Sequence, residues 1–209
     1  MKTAGAEGYR TPAREARAEL RDRGSRFLAV VAPAATEEAA REAVAALAAE
    51  HPDATHHCWA ARVGRPPVER SSDAGEPAGT AGVPILQVLR GAELSDAVAV
   101  VARWFGGTKL GKGGLARAYA GAVRAAVEGL PTALRVPTVE LVLELPYDRL
   151  GAVKRLVHPP RVEIVDEAYG AAVRLVLAVH EAERSGLEAA LADLGVRAEE
   201  GGAAGAPAP

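Results

Sequence analysis

The sequence predicts an α+β protein built as two domains, and three observations lead there. Apolar strand-like runs such as Phe27–Val31 and Ala97–Arg103 recur beside Ala-rich helical stretches such as Ala35–Glu50. Beyond residue 137 the elements fall in the order strand, helix, strand, strand, helix, strand. That βαββαβ order in about 70 residues is the pattern of a ferredoxin-like sandwich, with helices on one face of an antiparallel sheet. Between the halves, Thr132–Pro137 has the composition of a linker, and the charge balance changes sign there. Residues 1–136 carry 18 Lys/Arg against 15 Asp/Glu, whereas residues 137–209 carry 7 against 12. The domains are expected at 10–131 and 137–200.

Taken in order, residues 1–9 and 201–209 lack periodicity and read as frayed tails. Arg14–Arg21 alternates charged with small or apolar residues and reads as an edge strand or a short helix, the strand being favoured, and Phe27–Val31 reads as a buried strand. Thr36 is placed as the N-cap of a helix with Glu37 and Glu38 in its first turn, ending where Pro52 forbids continuation. Thr55–Val63 is a strand and Gly64–Pro67 a turn. Arg70–Gly82 is a polar loop, long enough to be functional. A short helix (Val83–Arg90), a strand (Ala97–Arg103), a glycine-rich corner (Gly106–Gly114) and a long helix (Leu115–Glu128) complete the first half. Strands at Thr138–Leu145, Arg161–Ala168, Ala171–His180 and Val196–Glu199, with helices at Tyr147–Val157 and Glu181–Leu194, fill the second.

Composition narrows the function classes. The chain is 49% hydrophobic and 25% charged with one cysteine, Cys58, so an internal disulfide framework is excluded and a reducing compartment fits. No stretch approaches the roughly 20 apolar residues of a membrane helix. Phe27–Ala35 is short, interrupted by Pro33 and preceded by acids as well as arginines, which argues against a secretory signal; a cytoplasmic protein is expected.

The segment richest in chemistry is the corner after Ala97–Arg103. Gly106, Gly107, Gly111, Gly113 and Gly114 allow close approach of backbone to a ligand, and a helix N-terminus offers unpaired N–H groups. Residues 97–127 hold Arg103, Lys109, Lys112, Arg117 and Arg124 and no acid. An anion site formed by Arg103, Gly106, Gly107, Thr108, Lys109, Gly111, Lys112, Gly113, Gly114 and Arg117 is the functional reading. The alternative is a plain strand-to-helix turn with solvated lysines. Gly106-x-x-x-x-Gly111-Lys112 imitates a Walker A loop, but Gly113 stands where Ser or Thr would bind magnesium, so nucleotide hydrolysis is not expected.

Within the polar loop, Asp73 and Glu76 could serve as acid and base with Lys109 as charge stabiliser. They could equally be structural, Glu76 capping the next helix or pairing with Lys109 or Arg103. His56-His57-Cys58 on a strand puts His56 and Cys58 on one face and His57 on the other, too few converging ligands for zinc. No metal and no cofactor is expected. Trp59 and Trp104 read as core anchors before stacking platforms.

His56-His57-Cys58-Trp59-Ala60, Ser72-Asp73-Ala74-Gly75-Glu76-Pro77-Ala78-Gly79-Thr80-Ala81-Gly82 and Arg103-Trp104-Phe105-Gly106-Gly107-Thr108-Lys109-Leu110-Gly111, followed by Gly113-Gly114-Leu115 and Ala118-Tyr119, resemble the IMPACT/YigZ family. Ser25-Arg26-Phe27 resembles its amino-terminal stretch. Ala74 stands where the family usually has a second Asp, and Trp104 where it usually has Tyr. The resemblance implies a first domain with the fold of ribosomal protein S5 domain 2, a four-stranded sheet backed by helices. It implies a second domain similar to the carboxy-terminal domain of elongation factor G. Eukaryotic relatives regulate translation initiation through an additional amino-terminal domain, which a chain of this length is not expected to hold. The resemblance implies a protein associated with translation or nucleic acid; the acid-free basic run 97–127 makes a non-catalytic factor in translation regulation, bound to RNA, the ribosome or a translation-related protein and to no membrane, the leading expectation. The motif loop Asp73, Gly75, Glu76, Pro77, Gly79, Thr80 and Gly82 is carried over with it. A hydrolase or phosphate-ester enzyme with a site between loops 70–82 and 106–114, and a protein-interaction module, are the competing readings.

Overall fold

The computed structural model describes residues 8–201. By their contacts they divide into one unit spanning Tyr9–Arg135 and a second from Val136 onward. The outermost residues of both expected tails lie outside the described residues.

The first unit is a five-stranded antiparallel sheet with helices on both faces. Its strands are β2 (Ala16–Asp22), β3 (Ser25–Pro33), β4 (His56–Val63), β5 (Val68–Ser72) and β6 (Ala97–Trp104), in the spatial order β2-β3-β6-β4-β5. Central β6 is AVAVVARW and is buried on both sides up to Arg103, as a strand sandwiched by helices must be. Alternation then sorts its residues. Ala97, Ala99 and Val101 pack with Phe27, Cys58, Leu89 and Tyr119 under α2 (Gly82–Gly91) and α3 (Gly111–Glu128). Val98, Val100 and Ala102 face the other way, onto Ala40 and Leu47 of α1 (Glu37–Glu50). Helix α1 starts as expected, Thr36 Oγ1 accepting from Ala39 N at 3.0 Å.

Four sequence expectations need correction. Tyr9 does not belong to a tail: β1 (Tyr9–Pro12) pairs antiparallel with β7 (Thr132–Arg135), so the first four residues of the expected linker form a strand. The polar loop begins later than expected because Val68–Ser72 forms β5, an edge strand whose outward residues are free to be polar. Helix α3 begins at Gly111, four residues earlier than its apolar periodicity suggested. Finally, the sheet has five strands rather than four, and α1 covers the face opposite α2 and α3.

The second unit holds β8 (Thr138–Leu145), α4 (Tyr147–Lys154), β9 (Val162–Tyr169), β10 (Val173–His180), a short 3-10 turn at Glu181–Glu183, α5 (Arg184–Asp193) and β11 (Ala198–Glu200). The strands lie in the order β11-β8-β10-β9, all antiparallel. Leu141, Leu143 and Leu145 of β8 and Val173, Leu175, Leu177 and Val179 of β10 share one core with Val153 of α4 and with Leu187 and Leu191 of α5. Both helices therefore cover the same sheet face, the arrangement that the βαββαβ order predicts.

Candidate functional site

Strand register carries Arg103 into the protein. It stands opposite Phe27 of β3 and His56 of β4, on the face covered by α2 and α3, and is only 5% exposed. A buried guanidinium needs an anion and further hydrogen bonds. Glu76 supplies the anion, its Oε1 lying 2.5 Å from Arg103 Nη1. Tyr119 of α3 donates its hydroxyl to the same oxygen at 2.7 Å, and Arg103 Nη2 donates to Ser25 Oγ at 3.4 Å. The guanidinium carbon sits 5.5 Å from the Phe27 ring and 5.6 Å from that of Phe105. Its Nε is buried without a hydrogen-bond partner. Cys58 Sγ closes the cluster, 2.9 Å from the carbonyl of Asp73 and 3.3 Å from Tyr119 Oη. Burial pushes its thiol up to about 12, so Cys58 is a protonated, unreactive packing group.

Asp73 is the organiser of the 73–81 loop. One carboxylate oxygen accepts from Ala81 N at 2.9 Å and Gly82 N at 2.8 Å, and the other accepts from Gly79 N at 2.8 Å. Partial burial works against its charge, yet the three amides prevail and hold its carboxyl below the usual value. Helix α2 thereby starts on a carboxylate borrowed from eight residues before its N-cap, since Ala81 there makes no side-chain bond. Thr80 is buried, its hydroxyl donating to Pro77 O at 2.7 Å. His56 Nδ1 donates to Ala74 O at 2.9 Å, and its ring packs against Gly75. Ala74 itself holds φ +43, a left-handed conformation that Asp adopts more readily than Ala.

These contacts show what each of the two carboxylates holds. Glu76 pairs with Arg103, one of its anticipated partners, and Asp73 rather than Glu76 serves α2. Each carboxylate is occupied in holding the fold, whereas Lys109 stands exposed on the other loop. Among the described residues no group of three or more His, Cys, Asp or Glu is placed to hold a metal ion.

The glycine corner divides by function. Gly106 is required by the chain itself: a Cβ there would lie 1.9 Å from Gly24 C and 2.3 Å from Ser25 N, at the β2–β3 turn. Its N–H donates to Ser25 Oγ at 3.2 Å, and Phe105 N donates to Thr55 Oγ1 at 3.2 Å. Gly107 and Gly111 take φ of +86 and +69 with open space around them. Gly113 lies beside Arg117, and Gly114 is tight against Leu110 in the first turn of α3.

Arg103, expected as a phosphate contact, is instead interior and neutralised by Glu76. Thr108, Lys109, Lys112 and Arg117 are exposed, as are Arg124 farther along α3 and Arg23 beside Gly24. Among the described residues none of these five cations is ion-paired. Elsewhere in the same unit Arg17, Arg26, Arg41 and Arg90 all meet glutamates.

Residues 23–127 match the Impact N-terminal domain, and residues 143–195 match a domain of unknown function, DUF1949. The IMPACT family member YigZ of Escherichia coli is 40% identical over 172 residues, 81% of this chain and 84% of that protein. The chain belongs to the IMPACT family. A further IMPACT family member, from Haemophilus influenzae, is 39% identical over 75% of this chain and 78% of its own length. A crystal structure described as that of a hypothetical protein superposes with a TM-score of 0.69 at 36% identity, covering 92% of this chain and 96% of the other. Arg103, Glu76, Tyr119, Ser25, Cys58 and Phe27 of the buried cluster all lie within the motifs that carried the family resemblance.

Ser25 and Tyr119 are the members of the buried cluster that residue chemistry missed. Both lie within the motifs, but neither carries a charge or a ligand pattern. The available signal was positional: Arg103 follows Ala97, Ala99 and Val101 at spacing 2 on a strand apolar on both faces, so its partners had to come from the covering helix and loop.

Proposed function

We propose that this IMPACT family protein is a non-catalytic factor of translation control that binds RNA, free or in the ribosome, through the cationic corner of its first unit. The observation that carries this reading is the set of unpaired, exposed cations around the start of α3. Lys109, Lys112 and Arg117 stand where the helix has no acid in its first turn, and its amide end adds partial positive charge. Family membership supports the link to translation. The engagement of Asp73 and Glu76 in the fold weighs against the hydrolytic alternative.

Titration of a labelled RNA at several salt concentrations tests the proposal. Three phosphate contacts make log K fall with log salt at a slope of about −2 to −3. In Lys109→Ala/Lys112→Ala the slope flattens by about 1.4–1.8 and affinity drops for every sequence alike. An unaltered slope in the double variant overturns the assignment of this surface.

A further inference from the structure

Resting on the RNA reading above, we infer that the nucleic acid engaged is single-stranded, with one unstacked base laid on the ring of Phe105. The chain has two phenylalanines, and they are treated oppositely: Phe27 is 0% exposed and Phe105 is 48% exposed. Phe105 opens the glycine corner directly after β6, on the same loop as Lys109.

Its position is set in advance from below. The guanidinium of Arg103 lies 5.6 Å from its ring centroid and is itself fixed by Glu76 and Ser25. The backbone amides of Phe105 and Gly106 are tied to Thr55 and Ser25. An exposed ring on an anchored backbone, with a cation at close range, is a platform that loses little freedom when a base stacks on it. The neighbouring Trp104 cannot serve in its place. Arg26 covers its ring at 4.3 Å, His51 meets it edge-on, and its Nε1 donates to Asp53 Oδ2 at 2.8 Å.

The unpaired cations give the platform its partner class. Lys109, Lys112, Arg117 and Arg23 favour a polyanion, and a lone exposed ring is too small for a hydrophobic protein contact. Duplex RNA keeps its bases stacked inward and offers no free base face to Phe105; a single strand offers one per nucleotide.

The test uses the full chain, with a labelled oligouridylate and an RNA duplex of equal length as probes at low salt. The variants are Phe105→Ala, Phe105→Leu and Phe105→Tyr, each checked by circular dichroism for an intact fold. Phe105→Ala and Phe105→Leu are expected to weaken single-strand binding by about 5- to 150-fold, with the salt slope and duplex binding unchanged. Phe105→Tyr keeps a flat ring and is expected to bind like the parent protein. Equal losses on single strand and duplex mean a structural role for Phe105 and overturn the inference, as does unaltered single-strand binding by Phe105→Leu. Failure of the parent protein to bind either probe removes the RNA reading itself, a result distinct from loss of stacking alone.

Discussion

Arg103 and Glu76 form a charge pair with side chains 6% and 3% exposed, and loss of either partner from a pair so deeply placed leaves an uncompensated buried charge. Glu76→Ala leaves a buried guanidinium facing two phenyl rings, and a loss of about 3–5 kcal/mol in urea unfolding is expected. Replacing both residues, as in Arg103→Met/Glu76→Leu, is expected to cost less than Glu76→Ala alone, because no uncompensated charge remains. Equal or greater cost in the double variant would mean that the pair contributes net stability. Glu76–Arg103 was one of the partnerships legible from residue types. Its burial was not, because only the pairing of β6 with both β3 and β4 turns Arg103 inward.

At the scale of elements, helix starts show how differently caps can be encoded. Thr36 precedes its helix directly and is readable from local sequence, whereas Asp73 caps α2 from across a loop held by His56 and by left-handed Ala74 and Gly75. Asp73→Asn is expected to cost about 0.5–2 kcal/mol by thermal melting. The lowered carboxyl of folded Asp73 gives the pH signature: its contribution is present above the ordinary value of 3.8 and is lost as pH falls through the lower folded value. Parent and Asp73→Asn proteins should therefore converge in stability toward acid, and parallel curves would rule out this role. Helix α3 shows a different limit of local reading. Glycine disfavours helix interiors, so Gly111, Gly113 and Gly114 hid its first turn, where a Cβ on Gly114 would lie 3.0 Å from that of Leu110.

For the molecule as a whole, the two units are built on separate cores, the first richest in Ala on both faces of its sheet with Phe27 and Tyr119 on one of them, the second richest in Leu. Leu177→Ala opens a cavity in the second core and is expected to cost about 2–5 kcal/mol there. With no shared core residues, urea unfolding followed by circular dichroism should separate into two transitions, of which this variant moves one. A single transition shifted as a whole would show the units to be energetically coupled. Charge is divided in the same way: the basic excess falls in residues 1–136, and residues 137–209 carry the acidic excess.

Amino-acid order alone determined the mixed α+β class, the βαββαβ succession, the family motifs and the acid-free run that includes Lys109 and Lys112, because these rest on periodicity and on residues adjacent in the chain. Tertiary structure alone decided that β5 extends the sheet, that Tyr9–Pro12 finds Thr132–Arg135, and that Gly106 serves contact with Gly24. It also separated Arg103, held inside by Glu76, Ser25 and Tyr119, from the cations left on the surface. Each of these depends on which distant segments pair, and two residues of the same charge acquire opposite roles when one lies under a helix and the other in water.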